Sequence, residues 1–180
     1  VDGVSDRLNI VYRHNPLSFF EKISSELGRV TTPFVALCAD DDCLLPETVV
    51  SCVEYLATKS GYSSVLGHKA QLNTTIHRWP SHLKILKGYS IERDSILERC
   101  RMMATRWYSN FYAVHHTTTL QRNFQIVAAN SSSRSLPQLP EMLMSQLSVI
   151  CGRIKVLPAM YSISQRHESN CTNTVARCLQ

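Results

Sequence analysis

The chain has 180 residues, of which 44% are hydrophobic and 18% charged, with a formal net charge of +5. That length and apolar content suit one core, so a single domain over residues 1–180 is expected. No run approaches the roughly 18 apolar residues of a bilayer-spanning helix, and the scattered basic residues form no basic–aromatic stripe, which argues against a nucleic-acid binder.

The mild positive charge instead suits a phosphate-rich partner such as a nucleoside diphosphate, or association with an anionic membrane surface. Seven cysteines, at positions 38, 43, 52, 100, 151, 171 and 178, form no C-x-x-C pair, which speaks against a structural zinc site or a redox dithiol. Sequons begin at Asn73, Asn130 and Asn170, as a Ser/Thr-rich chain produces by chance, and they do not fix a compartment.

Leu8 to Tyr12 reads as a short strand. Pro16 then opens a helix with Leu17, Phe20, Ile23 and Leu27 on its apolar face and Gly28 as its stop. Phe34 to Cys38 is a continuous apolar run, as in a strand buried on both faces, and Asp40, Asp41 and Asp42 follow it. Pro46 occupies the first position of a second helix, with Glu47 favourable to its dipole and Val49, Val50, Val53 and Leu56 inward. Tyr62 to Gly67 is a third strand, and His68 to Gly88 reads as extended or looping sequence.

A helix is expected over Ser90 to Met103, then an aromatic strand over Trp107 to His116 and a helix capped by Thr117–Thr119 reaching about Val127. A Ser-rich loop follows, from Asn130 to Pro137. Pro140 and Glu141 begin another helix, with Leu143, Leu147 and Ile150 on one face and Gly152 at its end. Ile154 to Leu157 is the last clear strand. Alternating strands and helices point to an α/β class with a sheet flanked by helices.

Three adjacent carboxylates repel one another, so a cation or hydrogen-bond donors must compensate them. They stand at the carboxyl end of a strand, where open α/β sheets bind ligands. If the extended geometry persists, Asp40 and Asp42 face one side and Asp41 the other. Hard oxygen ligands suit Mg²⁺ or Mn²⁺, which can also bridge two phosphates. A plainer reading is a solvated turn that caps the Pro46 helix.

The run Thr32-Pro33-Phe34-Val35-Ala36-Leu37-Cys38-Ala39-Asp40-Asp41-Asp42, followed by Leu45-Pro46, resembles the core signature of family-two glycosyltransferases with the GT-A fold. Trp107 to Asn110, Phe111 to Val114, Leu139-Pro140-Glu141 and Gly152-Arg153-Ile154 follow in the family's order, so the likeness runs from about Ile10 to Arg166. It implies a GT-A-like, Rossmann-related mixed sheet. The metal and diphosphate motif falls near residues 34–46, and the acceptor and base region near 104–167.

It also implies an inverting, metal-dependent transfer of a sugar from a nucleoside-diphosphate donor, UDP-sugar foremost, to a glycan or lipid-linked acceptor hydroxyl. The implied roles are Asp40 and Asp42 with Mn²⁺ or Mg²⁺, Asp40 and Asp41 toward the nucleotide, and Glu141, 99 positions after Asp42, as base. His167 is the implied late metal or diphosphate contact. Glu141 also suits a helix dipole, and burial would be needed to make it a base near neutrality. Trp107 and Tyr108 suit stacking on a sugar or packing in the core.

The likeness further implies a cytoplasmic, membrane-associated setting, or a secretory lumen in a eukaryote. The family's first strand–helix–strand unit is not visible before Ile10, and the chain opens at Val1 without methionine, so an N-terminally incomplete domain is expected. Two other readings stay open: a non-catalytic glycan- or protein-binding module on the same fold, and a two-metal nucleotidyltransferase.

Overall fold

The computed structural model describes residues 10–73, 82–130 and 139–166. Helix α1 covers Phe19–Leu27, β1 Phe34–Ala36, β2 Asp42–Leu44, α2 Pro46–Thr58, β3 Tyr62–Asn73 and β4 His82–Leu86. Then come α3 Ile96–Thr105, β5 Val114–His116, α4 Thr117–Asn130, α5 Leu139–Cys151 and β6 Arg153–Arg166. The fold is mixed α/β, a curled sheet flanked by helices.

The sheet runs β1-β5-β3-β6-β2, with β4 joined to β3. Only β3 and β6 are parallel; the other pairs are antiparallel. The long β3 has two neighbours along one edge. Its first half pairs with β5 at Ser64 and Val65, and its second half pairs with β4 from Lys69 to Asn73. Strand β6 lines its other edge and carries β2 beyond, with Asp42 opposite Ser164 and Leu44 opposite Ser162.

Local chemistry accounts for the helix boundaries. At α1 the Ser18 amide donates to the Glu21 carboxylate at 3.2 Å, which places the start at Phe19, three residues after the expected Pro16, and leaves Leu17 exposed. Pro46 is the first residue of α2, as expected; Val50 is exposed, and Cys52 takes the inward position beside Leu56. The Ser95 hydroxyl accepts from the Glu98 amide, so α3 starts at Ile96 rather than near Ser90. In α5 the inward face is Met144, Ser145, Ser148 and Val149, while Ile150 is exposed.

Three apolar clusters hold the layers together. Phe111, Leu120, Phe124, Val127 and Met144 join α4, α5 and α1. Cys52 and Leu56 of α2 pack on Val65, Val114 and Tyr161 of the sheet. Ile91, Met103, Val149 and Ile154 close α3 over α5 and β6. Arg99 secures the last group, its guanidinium donating to the carbonyls of Val149, Arg93 and Asp94 at 2.7 to 2.9 Å.

The strands depart most from expectation. Ile10 to Tyr12 are exposed and form no strand, and β1 ends at Ala36 with its three residues only half-buried. Of the aromatic run, only Val114–His116 is strand. Of the extended and looping forms expected for His68 onward, His68 to Asn73 take the extended one and continue β3, and β6 runs past the exposed Pro158 to Arg166. Pairing on both edges holds these polar segments extended. The register shifts on either side of His68, and a Cβ on Gly67 would lie 2.4 Å from the Ala159 carbonyl oxygen. Only glycine permits that approach. Among the described residues no helix is long and apolar enough to cross a membrane.

Candidate functional site: a cleft beside the aspartate run

The aspartate run bends where the sequence suggested extended chain. Asp40 and Asp41 occupy a turn closed by the Asp42 amide donating to the Ala39 carbonyl at 3.2 Å, and Asp42 opens β2. The expected alternation of Asp40 and Asp42 about one strand therefore does not hold. Nor do these residues cap α2, because Leu45 is its N-cap and no side chain completes a cap hydrogen bond. Asp40 and Asp41 are exposed, whereas the Asp42 side chain is only 10% exposed.

Asp42 is held from across the sheet. Lys69 on β3 stands opposite Ser162 of β6, and Asp42 on β2 stands opposite Ser164 of the same strand. Positions two apart on β6 share a face, so Lys69 and Asp42 lie on one face, diagonally across it. The intervening residues are serines, whose short side chains leave a path for the lysine. The Lys69 ammonium comes within 3.6 Å of the Asp42 carboxylate. Burial raises the Asp42 pKa, Lys69 opposes that, and Asp41 adds to it by repulsion.

Glu141 reaches the same place from the first turn of α5. Burial pushes its carboxyl above the usual range, and the positive charge of Lys69 partly offsets the effect. Tyr112 is the second common neighbour. Its phenol is pushed up to about 12, first by burial and then by the negative charges of Glu141, Asp42 and Asp41. The Lys69 ammonium also lies 5.7 Å from the centre of the Tyr112 ring. Two carboxylates 99 positions apart in the chain thus lie within the electrostatic reach of one lysine and one tyrosine.

A cleft of about 300 Å³ opens beside this group. Lys69, Gln71, Tyr108, Tyr112, Glu141 and Ser162 line it, with Leu66, Gly67 and the β4 end among the remaining walls. Its floor is pinned from β6, where the Tyr161 hydroxyl donates to the Tyr112 carbonyl at 2.7 Å. The Tyr108 hydroxyl donates to the Tyr89 carbonyl at 3.0 Å, which fixes the ring at the cleft wall.

The residues expected from sequence divide accordingly. Asp42, Asp41 and Glu141 all act electrostatically on Tyr112, and Glu141 and Tyr108 line the cleft. Trp107 is exposed and lies outside the cleft lining. His167 lies outside the described residues. Lys69, Gln71 and Tyr112 had not been singled out, since a single lysine in a polar stretch carries no motif; the His68–Asn73 alternation in β3 was the available signal.

Among the described residues no group of three or more His, Cys, Asp or Glu is arranged to hold a metal alone. Asp42 and the neighbouring turn aspartates could supply one or two hard oxygen ligands. That set suits a cation completed by phosphate oxygens and water rather than an all-protein cage. No protein-family model matches the chain, and no curated protein matches it significantly.

Proposed function

We propose that the chain forms the metal-diphosphate and base region of an inverting, GT-A-like glycosyltransferase that transfers a sugar from a nucleoside-diphosphate donor to an acceptor hydroxyl. The observation that carries this reading is that Lys69, which lines the cleft with Glu141 and Tyr112, also pairs at 3.6 Å with the covered Asp42 carboxylate. A solvated capping turn would need no such pairing, and the aspartates do not cap α2.

Asp42 and Asp41, with Asp40 at the turn, would hold Mn²⁺ or Mg²⁺ together with the donor phosphates. Such a cation supplies neutralising charge for the departing diphosphate. Glu141 accepts the proton of the acceptor hydroxyl as its oxygen bonds the anomeric carbon, and the bond from that carbon to the diphosphate breaks with its electron pair. Burial of Glu141 raises its proton affinity toward what a base near neutrality needs. The faces of Tyr108 and Tyr112, with Gln71 and Ser162, offer the mixed apolar and polar surface that a pyranose requires.

A UDP-sugar donor, a glycan or lipid-linked acceptor and a membrane-surface setting accompany this reading. The test is transfer of labelled sugar from UDP-sugar donors to oligosaccharide acceptors by the intact protein and by Glu141→Gln. Product of inverted configuration that disappears in the variant supports the reading. Turnover unaffected by Glu141→Gln would remove the assigned base.

A further inference from the structure

Lys69 lines the cleft, whereas Asp42, its ion-pair partner, does not. The Lys69 side chain is 35% exposed and the Asp42 side chain 10%, so the lysine presents the accessible charge and the carboxylate lies largely covered. The ammonium therefore occupies one side of the most enclosed carboxylate of the acidic run. A flexible four-carbon stem bearing a compact charge can leave that position without disturbing β3.

We infer that Lys69 is a charge gate: it neutralises Asp42 in the ligand-free protein, competes with a divalent cation there, and transfers to the donor diphosphate when nucleotide and cation enter together. The inference rests on the diphosphate reading for its second half alone. Competition for Asp42 follows from the ion pair itself, because an ammonium at 3.6 Å repels an incoming cation and stands on the approach to the carboxylate.

Anionic phosphate removes the obstacle by offering Lys69 a better partner and the cation additional oxygen ligands. Metal and nucleotide then bind synergistically, each weak alone. Glu141 shares the arrangement: while Lys69 remains near, its charge favours the ionised carboxylate, the form a base must have before it accepts a proton.

The experiment is titration of Mn²⁺ alone, followed by electron paramagnetic resonance, into the intact wild-type protein, Lys69→Gln, Lys69→Arg and the Lys69→Gln/Asp42→Asn double variant. UDP titrations with and without Mn²⁺ follow on each protein. The gate predicts that Lys69→Gln binds Mn²⁺ alone about fivefold more tightly than wild type, as loss of a partly exposed competing ion pair allows. Lys69→Arg keeps the charge and stays near wild type, and the double variant loses the gain. Synergy between Mn²⁺ and UDP shrinks in Lys69→Gln.

Equal Mn²⁺ affinity in wild type and Lys69→Gln overturns the gate, as does a gain that survives Asp42→Asn. Tighter Mn²⁺ binding in Lys69→Gln with no UDP binding to any of the proteins keeps the competition for Asp42 and removes the diphosphate reading. A folded circular-dichroism spectrum for each variant assigns the changes to the site.

Discussion

The hydroxyl of Tyr161 donates to the carbonyl of Tyr112 at 2.7 Å, tying the middle of β6 to the loop that carries the cleft's central phenol. Tyr161 is buried among α2 and the sheet, and the bond satisfies its hydroxyl there. Tyr161→Phe is expected to lower unfolding free energy by about 1 kcal/mol, the usual net worth of such a bond. Urea denaturation measures it. A larger loss of ligand affinity than of stability would show that the bond also positions Tyr112.

His115 gives the fold a pH dependence. It is fully buried, its Nε2 faces the Asn110 carbonyl at 3.1 Å, and burial drives its pKa down to about 4. A carbonyl only accepts, so Nε2 bears the proton of the neutral ring. The unfolded chain, with a His pKa near 6.5, binds more protons between about pH 4 and 6.5. Stability from this residue is therefore complete above pH 6.5 and is lost as pH falls toward 4, by an amount on the order of 1–3 kcal/mol. Asp42 and Glu141, whose pKa values are raised, act oppositely and gain stability on acidification. Comparing denaturation of wild type and His115→Gln at several pH values isolates the histidine: the acid-side decline should flatten in the variant.

Gly67 sits where β3 and β6 approach too closely for a side chain. Gly67→Ala should cost about 1–3 kcal/mol, because its Cβ would press on the backbone of Ala159 and the strands must separate. Thermal unfolding reads the cost. A neutral substitution would show that the strand irregularity relaxes freely.

Raised proton affinity at Glu141 predicts the direction of the activity profile. In the proposed reaction the ionised carboxylate is the working base, so turnover should rise with pH through the raised Glu141 pKa and then level off. Steady-state kcat against pH tests this. Glu141→Gln should remove the rising limb along with most of the turnover while UDP binding persists.

Much of the helical framework was legible because caps and apolar spacing are local properties. Pro46, Thr117 and Gly152 mark their helix boundaries where expected. The long strands were legible only in part, at Tyr62–Gly67 and Ile154–Leu157. Lys69, Gln71 and Asn73 are polar, and Pro158 interrupts the pattern of β6, yet both segments stay extended because each strand supplies the other's backbone partners. Local sequence cannot display that mutual dependence. The same limit hid Lys69: its importance comes from lying diagonally across two serines from Asp42.

Within the site, the acidic run and Glu141 were legible as chemistry but not as geometry. The run bends into β2 instead of extending from β1, and this brings Asp42 alone under the cover of Lys69. Trp107, attractive by residue type, stands outside the cleft, whereas Tyr108 beside it forms part of the wall. The tie between Tyr108 and Tyr89 explains the difference for the tyrosine, since the hydroxyl is already satisfied and the ring is fixed.

The central claim is that Asp42 takes part in cation-dependent binding of a nucleoside diphosphate, and calorimetric titration of UDP into the intact protein tests it most directly. The account predicts binding heat in the presence of Mn²⁺ that is lost without the cation and lost in Asp42→Asn. UDP binding of equal strength with and without Mn²⁺, or unchanged by Asp42→Asn, would contradict it.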